Sequence, residues 1–133
     1  MKIIAPITAV TAIVLVPIYI RLAFCVIKLR QTHKVAVGAG NHSDLEMAIR
    51  AHGNFSEYVP FALLLILSAE FNGSPVWLVS LVAMMLVVGR LIHAKAIPSG
   101  NLTNRVRGMQ LTFAALALGA VANAVPLVLM FIN

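Results

Sequence analysis

Arg50, Asn54 and Glu57 stand at i, i+4 and i+7. At ~3.6 residues per turn this spacing lines a guanidinium, an amide and a carboxylate along one helix face. An arginine grips a carboxylate with two parallel hydrogen bonds, an amide side chain pairs with a peptide group, and a glutamate accepts from an ammonium. The trio is therefore matched to a small zwitterion such as a short peptide. The structural alternative is that Arg50 and Glu57 neutralise each other or a neighbouring helix, with Asn54 as interhelical glue. His52 and Tyr58 flank the line, and Pro60, which lacks a backbone donor, can kink the helix just beyond it. Arg30, Arg90, Arg105 and Arg107 fall at the same depth. An arginine such as Arg105, near the start of a helix, adds to the positive end of the macrodipole, and together they would attract an anion such as a thiolate.

The elements that must position these groups are membrane helices. Of 133 residues 61% are hydrophobic and 11% charged, with a mean hydropathy of +0.97. A water-soluble domain is nearer half apolar and a quarter charged, so a soluble fold, a disordered chain and a disulfide scaffold are all excluded. A spanning helix takes roughly 20 residues, which leaves room for about four crossings and short loops. The apolar runs predict an all-α integral membrane protein, a single domain over residues 1–133, with helices at about 3–27, 45–70, 75–95 and 105–131. The first run is too long for a cleavable signal peptide and ends in Lys28, Leu29 and Arg30. A polar stretch over 31–46, with Ser43 or Asp44 as N-cap, is the longest expected loop. Asn72, Gly73, Ser74 and Pro75 form a tight turn, and Ile97 leads into a break at Pro98, Ser99, Gly100 and Asn101. In the second helix only residues 58–69 are uncharged, so crossing draws its polar first half into the bilayer. Pro126 can kink the fourth helix where freed carbonyls find partners in the bundle.

Ten Lys and Arg against four Asp and Glu give +6, but the cations sit between apolar runs, which points to membrane orientation and not to nucleic acid. Lys28, Arg30 and Lys34 place the first loop in the cytoplasm and Lys95, Arg105 and Arg107 the third. The second loop offers only Glu70 and the amino end only Lys2, so both termini lie outside. Cys25 has no partner cysteine and reads as a buried, inert thiol. Asn123 reads as interhelical glue. His42, His52 and His93 occur near helix ends without a facing pair for haem, and no metal-spaced cluster is visible, so no metal is expected. A proton-coupled efflux subunit would need an unpaired membrane carboxylate, whereas Glu57 has a cation two turns away.

The segment Arg50-Ala51-His52-Gly53-Asn54-Phe55-Ser56-Glu57-Tyr58-Val59-Pro60 resembles the R-x-x-x-N-x-x-E-x-x-P signature of the MAPEG family, the membrane-associated proteins in eicosanoid and glutathione metabolism. Length, helix count and predicted orientation are similar over essentially the whole chain, and the short loops resemble a bacterial branch. The resemblance implies a MAPEG-like four-transmembrane-helix bundle that assembles as a homotrimer in a bacterial inner membrane, among lipid. Glutathione would bind as co-substrate between subunits near the cytoplasmic face. It implies Arg50, His52, Asn54, Glu57 and Tyr58 as glutathione contacts, Arg30 from the adjacent subunit, and Arg90 and His93 from the third helix. Arg105 resembles the arginine that stabilises the thiolate. The stretch between Arg90 and Arg105 aligns only with a gap, leaving Arg107 as the alternative, and Ile97 stands where some relatives carry a tyrosine. The implied activity is that of a microsomal-type glutathione transferase, the thiolate attacking a lipophilic electrophile or a hydroperoxide. A non-enzymatic membrane scaffold or regulator on the same fold is the alternative.

Overall fold

The computed structural model describes residues 4–96 and 101–132 as four consecutive helices, α1 Pro6–His33, α2 Ser43–Phe71, α3 Val76–Ala96 and α4 Leu102–Ile132. Ile97, Pro98, Ser99 and Gly100, like Lys2, lie outside the described residues. Three helices, α1, α3 and α4, are long and apolar enough to cross a membrane. The second is as long but carries Asp44, Glu46, Arg50 and Glu57 in its first half, so it crosses only within the shelter of the others. Large apolar side chains such as Ile13, Phe24, Phe61, Leu64 and Met84 point outward, as a lipid-facing surface requires.

The first helix outruns its expected end at residue 27 and stops at His33. Lys28, Arg30 and Gln31 are good helix formers whose polar ends reach beyond the apolar layer, and no glycine interrupts them. The helix stops on Lys34, held left-handed at φ 56, whose N–H turns back to the Arg30 and Gln31 carbonyls. The polar loop is correspondingly shorter than expected. His42, not Ser43 or Asp44, is the N-cap of α2, and it makes no side-chain cap bond. The Asp44 carboxylate is drawn instead to His33 and to the Leu45 N–H.

Consecutive helices run antiparallel, and polar ties at both ends pin them. The opening turn of α1 contains no acid, but Glu70 at the end of α2 supplies one from outside. Its carboxylate accepts from Ile7 N at 2.8 Å, Thr8 N at 2.9 Å and Thr8 Oγ1 at 2.7 Å. Two of the unpaired donors at the positive end of α1 are thereby satisfied by a negative charge. Glu70→Ala is expected to lower stability by about 2–4 kcal/mol, with Glu70→Gln in between, measured by denaturant titration in mixed micelles. A Glu70→Ala protein as stable as wild type would show that this cap contributes nothing.

The expected turn after α2 is present. Gly73 takes φ 75 and the Ser74 N–H reaches the Ala69 carbonyl at 3.0 Å, a Schellman stop in which glycine occupies the left-handed position. Buried Ser74 then donates its hydroxyl to the Ala122 carbonyl at 2.6 Å. Ala122 lies four residues before Pro126, so its carbonyl has lost its usual helical donor, and Ser74 replaces that donor from the turn. Asn123 donates to the Leu65 carbonyl at 2.9 Å, tying α4 to α2 as interhelical glue.

The closest approach in the bundle is between α3 and α4. A Cβ built on Gly108 would lie 2.8 Å from the Gly89 carbonyl oxygen and 2.9 Å from His93 N, and one on Gly89 would lie 3.0 Å from the Gly108 oxygen. Small residues at such a crossing allow the backbones to touch, which is how helices gain contact inside a lipid solvent. The crossing sets Arg90 and His93 beside the first turns of α4.

Candidate functional site

Where α2, α3 and α4 meet, a cavity of about 510 Å³ is lined by Ile49, Arg50, Gly53, Asn54, Glu57, His93 and Arg105. Arg50, Asn54 and Glu57 thus share one helix face and one space, as their spacing predicts. Gly53 forms part of the wall, and a Cβ there would meet nothing within 4 Å. Arg50 and Glu57 are exposed and Asn54 is half-buried, so charged groups of both signs are available to a ligand. From α3 comes His93, which is buried, and from the first turn of α4 comes Arg105. That helix is started by Asn101, whose side-chain oxygen accepts the Asn104 N–H at 3.0 Å.

Between the two arginines expected near the thiol the structure draws a distinction. Arg105 is half-buried and lines the cavity, whereas Arg107 is exposed and lines neither it nor the adjoining one. Two positions on α4 are a rotation of about 200° at ~3.6 residues per turn, so the pair cannot share a face.

The adjoining cavity, about 350 Å³, shares Asn54, His93 and Arg105 with the first and continues along Leu102, Val106, Met109, Gln110 and Phe113. Its far part is mostly apolar. Tyr58 packs edge-on against Phe113 with ring centroids 5.3 Å apart, so it stands at the border of this second space and lines neither cavity.

Arg90, which the resemblance implies as a contact from the third helix, stands behind the cavity wall. It is 1% exposed and lines neither cavity. One terminal nitrogen donates to Asn54 Oδ1 at 2.8 Å, and the other to Thr112 Oγ1 at 2.7 Å and Met109 Sδ at 3.3 Å. It therefore holds Asn54 from behind and reaches the cavity only through that amide. Its Nε is one of two buried side-chain polar atoms among the described residues without a hydrogen-bond partner.

The other is His52 Nε2. His52 does not join the trio: its ring faces α1, 5.0 Å from the Tyr19 ring, because two residues from either Arg50 or Asn54 points away from their shared face. Arg30 also lies apart from the cavity within the chain. Its guanidinium donates to the Ala36 and Gly38 carbonyls, each at 3.1 Å, and to Val35 O at 3.4 Å, folding the first loop onto the end of α1. Thr112 and Met109, which grip Arg90, were not foreseen; with Arg105 they repeat the i, i+4, i+7 spacing of the α2 trio, a signal visible only once the two faces are known to meet.

Relatives share both the length and the membrane character. The chain is 37% identical over 117 residues to "Inner membrane protein YecN" of Escherichia coli strain K12, covering 88% of this chain and 89% of the relative, and matches the protein of that name from strain O6:H1 to the same extent. The model of the MAPEG family matches residues 8–125, a span that holds the trio, His93 and Arg105. This four-helix membrane protein belongs to the MAPEG family.

Proposed function

We propose that the cavity between α2, α3 and α4 binds glutathione and activates its thiol for transfer to a lipophilic acceptor. The observation that carries the reading is the convergence of Arg50, Asn54, Glu57, His93 and Arg105 on one space. Arg50 takes a carboxylate of the tripeptide, Glu57 its ammonium and Asn54 a peptide group, each by a charge-assisted or amide hydrogen bond. Arg90 serves as a positioning residue for Asn54. A free thiol has a pKa of about 8.5, so little of it is thiolate at neutral pH. Arg105 at the positive start of α4 favours the anion, and one pKa unit corresponds to about 1.4 kcal/mol. The sulfur then forms a bond to an electrophilic carbon reached from the bilayer through the adjoining apolar cavity. Either the leaving group departs with the bonding pair or, in an addition, the acceptor takes up a proton.

The assembly that fits this reading is a homotrimer in a bacterial inner membrane with the first and third loops cytoplasmic, so that a neighbouring subunit closes the open side of the cavity and brings its own Arg30 nearby. The test is calorimetric titration of glutathione into the detergent-solubilised protein, with its oligomeric mass measured alongside. Wild type is expected to bind. Arg50→Ala and Glu57→Gln are each expected to weaken binding about tenfold or more, the value of one charge-assisted bond. Arg105→Ala is expected to keep binding while losing the thiolate absorbance of the bound peptide. A wild-type protein that does not bind glutathione overturns the reading and leaves the scaffold or regulator.

A further inference from the structure

The loop between α1 and α2 gathers three metal-ligating side chains that the cavity does not use. His33 ends α1, His42 caps α2, and Asp44 lies in the first turn of α2. His33 Nε2 is 2.9 Å from Asp44 Oδ2, and the His42 ring stacks on His33 with centroids 3.9 Å apart and planes 12° from parallel. One nitrogen from each imidazole and one carboxylate oxygen all lie within 4.8 Å of one another. An ion pair between His33 and Asp44 accounts for the first contact. It gives no reason for a second imidazole laid face to face on the first.

The backbone is shaped to bring His42 there. Gly38, Gly40 and Asn41 take φ values of 70, 55 and 63, and the His42 N–H is fixed to the Ala39 carbonyl at 3.0 Å. The Arg30 guanidinium holds the Ala36 and Gly38 carbonyls of the same loop. Non-glycine residues adopt such a conformation at a cost, as Asn41 does here, and a loop that contains it is held by its contacts.

We propose that His33, His42 and Asp44 form a binding site for a divalent transition metal of the zinc type, joining the end of α1 to the start of α2. Two imidazoles and one carboxylate form the ligand set that zinc accepts with a water in the fourth position, whereas magnesium and calcium prefer oxygen ligands throughout. In a tetrahedral site with ligand bonds of about 2.0–2.1 Å the donor atoms stand about 3.3 Å apart, and the candidate donor atoms of His33, His42 and Asp44 already lie within 4.8 Å of one another, so turning the stacked imidazoles toward a shared ion completes the set. Asp44 is half exposed, 50% at its side chain, which leaves an entry path for the ion and room for water. The site is independent of whether glutathione binds.

The experiment uses purified, tag-free protein in detergent, stripped with a chelator and titrated with Co2+ and then Zn2+. Expected is one equivalent of Co2+ per chain with the visible absorption of a four-coordinate nitrogen and oxygen site, displaced by Zn2+, and a rise in melting temperature with Zn2+. His42→Ala and Asp44→Asn should each weaken the binding by more than roughly tenfold and lose the Zn2+-dependent rise, while melting like wild type in chelator. Absence of the band and of the stabilisation in wild type overturns the proposal. Metal binding that survives unchanged in a His33→Ala/His42→Ala double variant overturns it as well, since the ion would then be held elsewhere.

Discussion

Arg90→Met is expected to lose about 2 kcal/mol of stability and at least about tenfold in glutathione affinity, although Arg90 touches neither cavity. Two opposing effects set the first figure. Removing the guanidinium relieves the cost of holding a buried charge, here among neutral partners, since Asn54, Thr112 and Met109 carry none. Against that, Asn54 Oδ1 loses its donor, and each unsatisfied buried group costs about 1–3 kcal/mol. Thr112 is protected, because its hydroxyl also donates to the Gly108 carbonyl at 2.8 Å. The loss therefore falls mainly on Asn54, and the affinity should drop because the freed amide no longer presents its NH2 group to a peptide. A double-mutant cycle separates this route from direct contact. If Arg90 acts through Asn54, Arg90→Met/Asn54→Ala binds glutathione no more weakly than Asn54→Ala alone; if the two losses add, Arg90 meets the ligand itself. Arg90→Lys should recover little, because a point donor cannot reach Asn54 and Thr112 on opposite arms of the fork.

The contrast between Arg90 and its neighbours shows what a sequence of this kind discloses. Apolar runs and their breakers report helices because the bilayer forbids irregular backbone, and the Asn72–Pro75 turn was readable because glycine at the left-handed position is a local requirement. The end of α1 was not readable. Lys34 takes the left-handed position that glycine usually marks, and nothing in its side chain announces it. The trio of Arg50, Asn54 and Glu57 is legible because all three ride one helix, so spacing alone aligns them. That Arg105 and not Arg107 lines the cavity, and that Arg90 is buried, depend on how α3 and α4 are rotated about their crossing, which no single-helix periodicity contains. His33, His42 and Asp44 are further from view, since left-handed backbone at Gly38, Gly40 and Asn41 brings them together.

That crossing makes Gly108 the position where the smallest change has the largest expected consequence. A methyl group there would stand 2.8 Å from the Gly89 carbonyl oxygen and from His93 Cβ, and 2.9 Å from His93 N. Two of these atoms are backbone, so no side-chain rotation relieves the clash and the helices must part. Overpacking of this kind costs about 1–3 kcal/mol and sometimes more, while alanine in place of glycine returns up to about 1 kcal/mol of helix propensity. Gly119→Ala has the same propensity gain but meets its first neighbour, Leu65 Cβ, only at 3.3 Å, so it serves as the control. Gly108→Ala is expected to unfold at lower denaturant than both wild type and Gly119→Ala, and Gly108→Leu to prevent the bundle from forming. Separation at this point also carries His93 away from Arg105 and Arg90 away from Thr112, so glutathione affinity should fall further in Gly108→Ala than in Gly119→Ala. Equal stability and equal affinity in the two alanine variants would show that α3 and α4 can yield without disturbing the cavity, and that the site does not depend on how closely those helices cross.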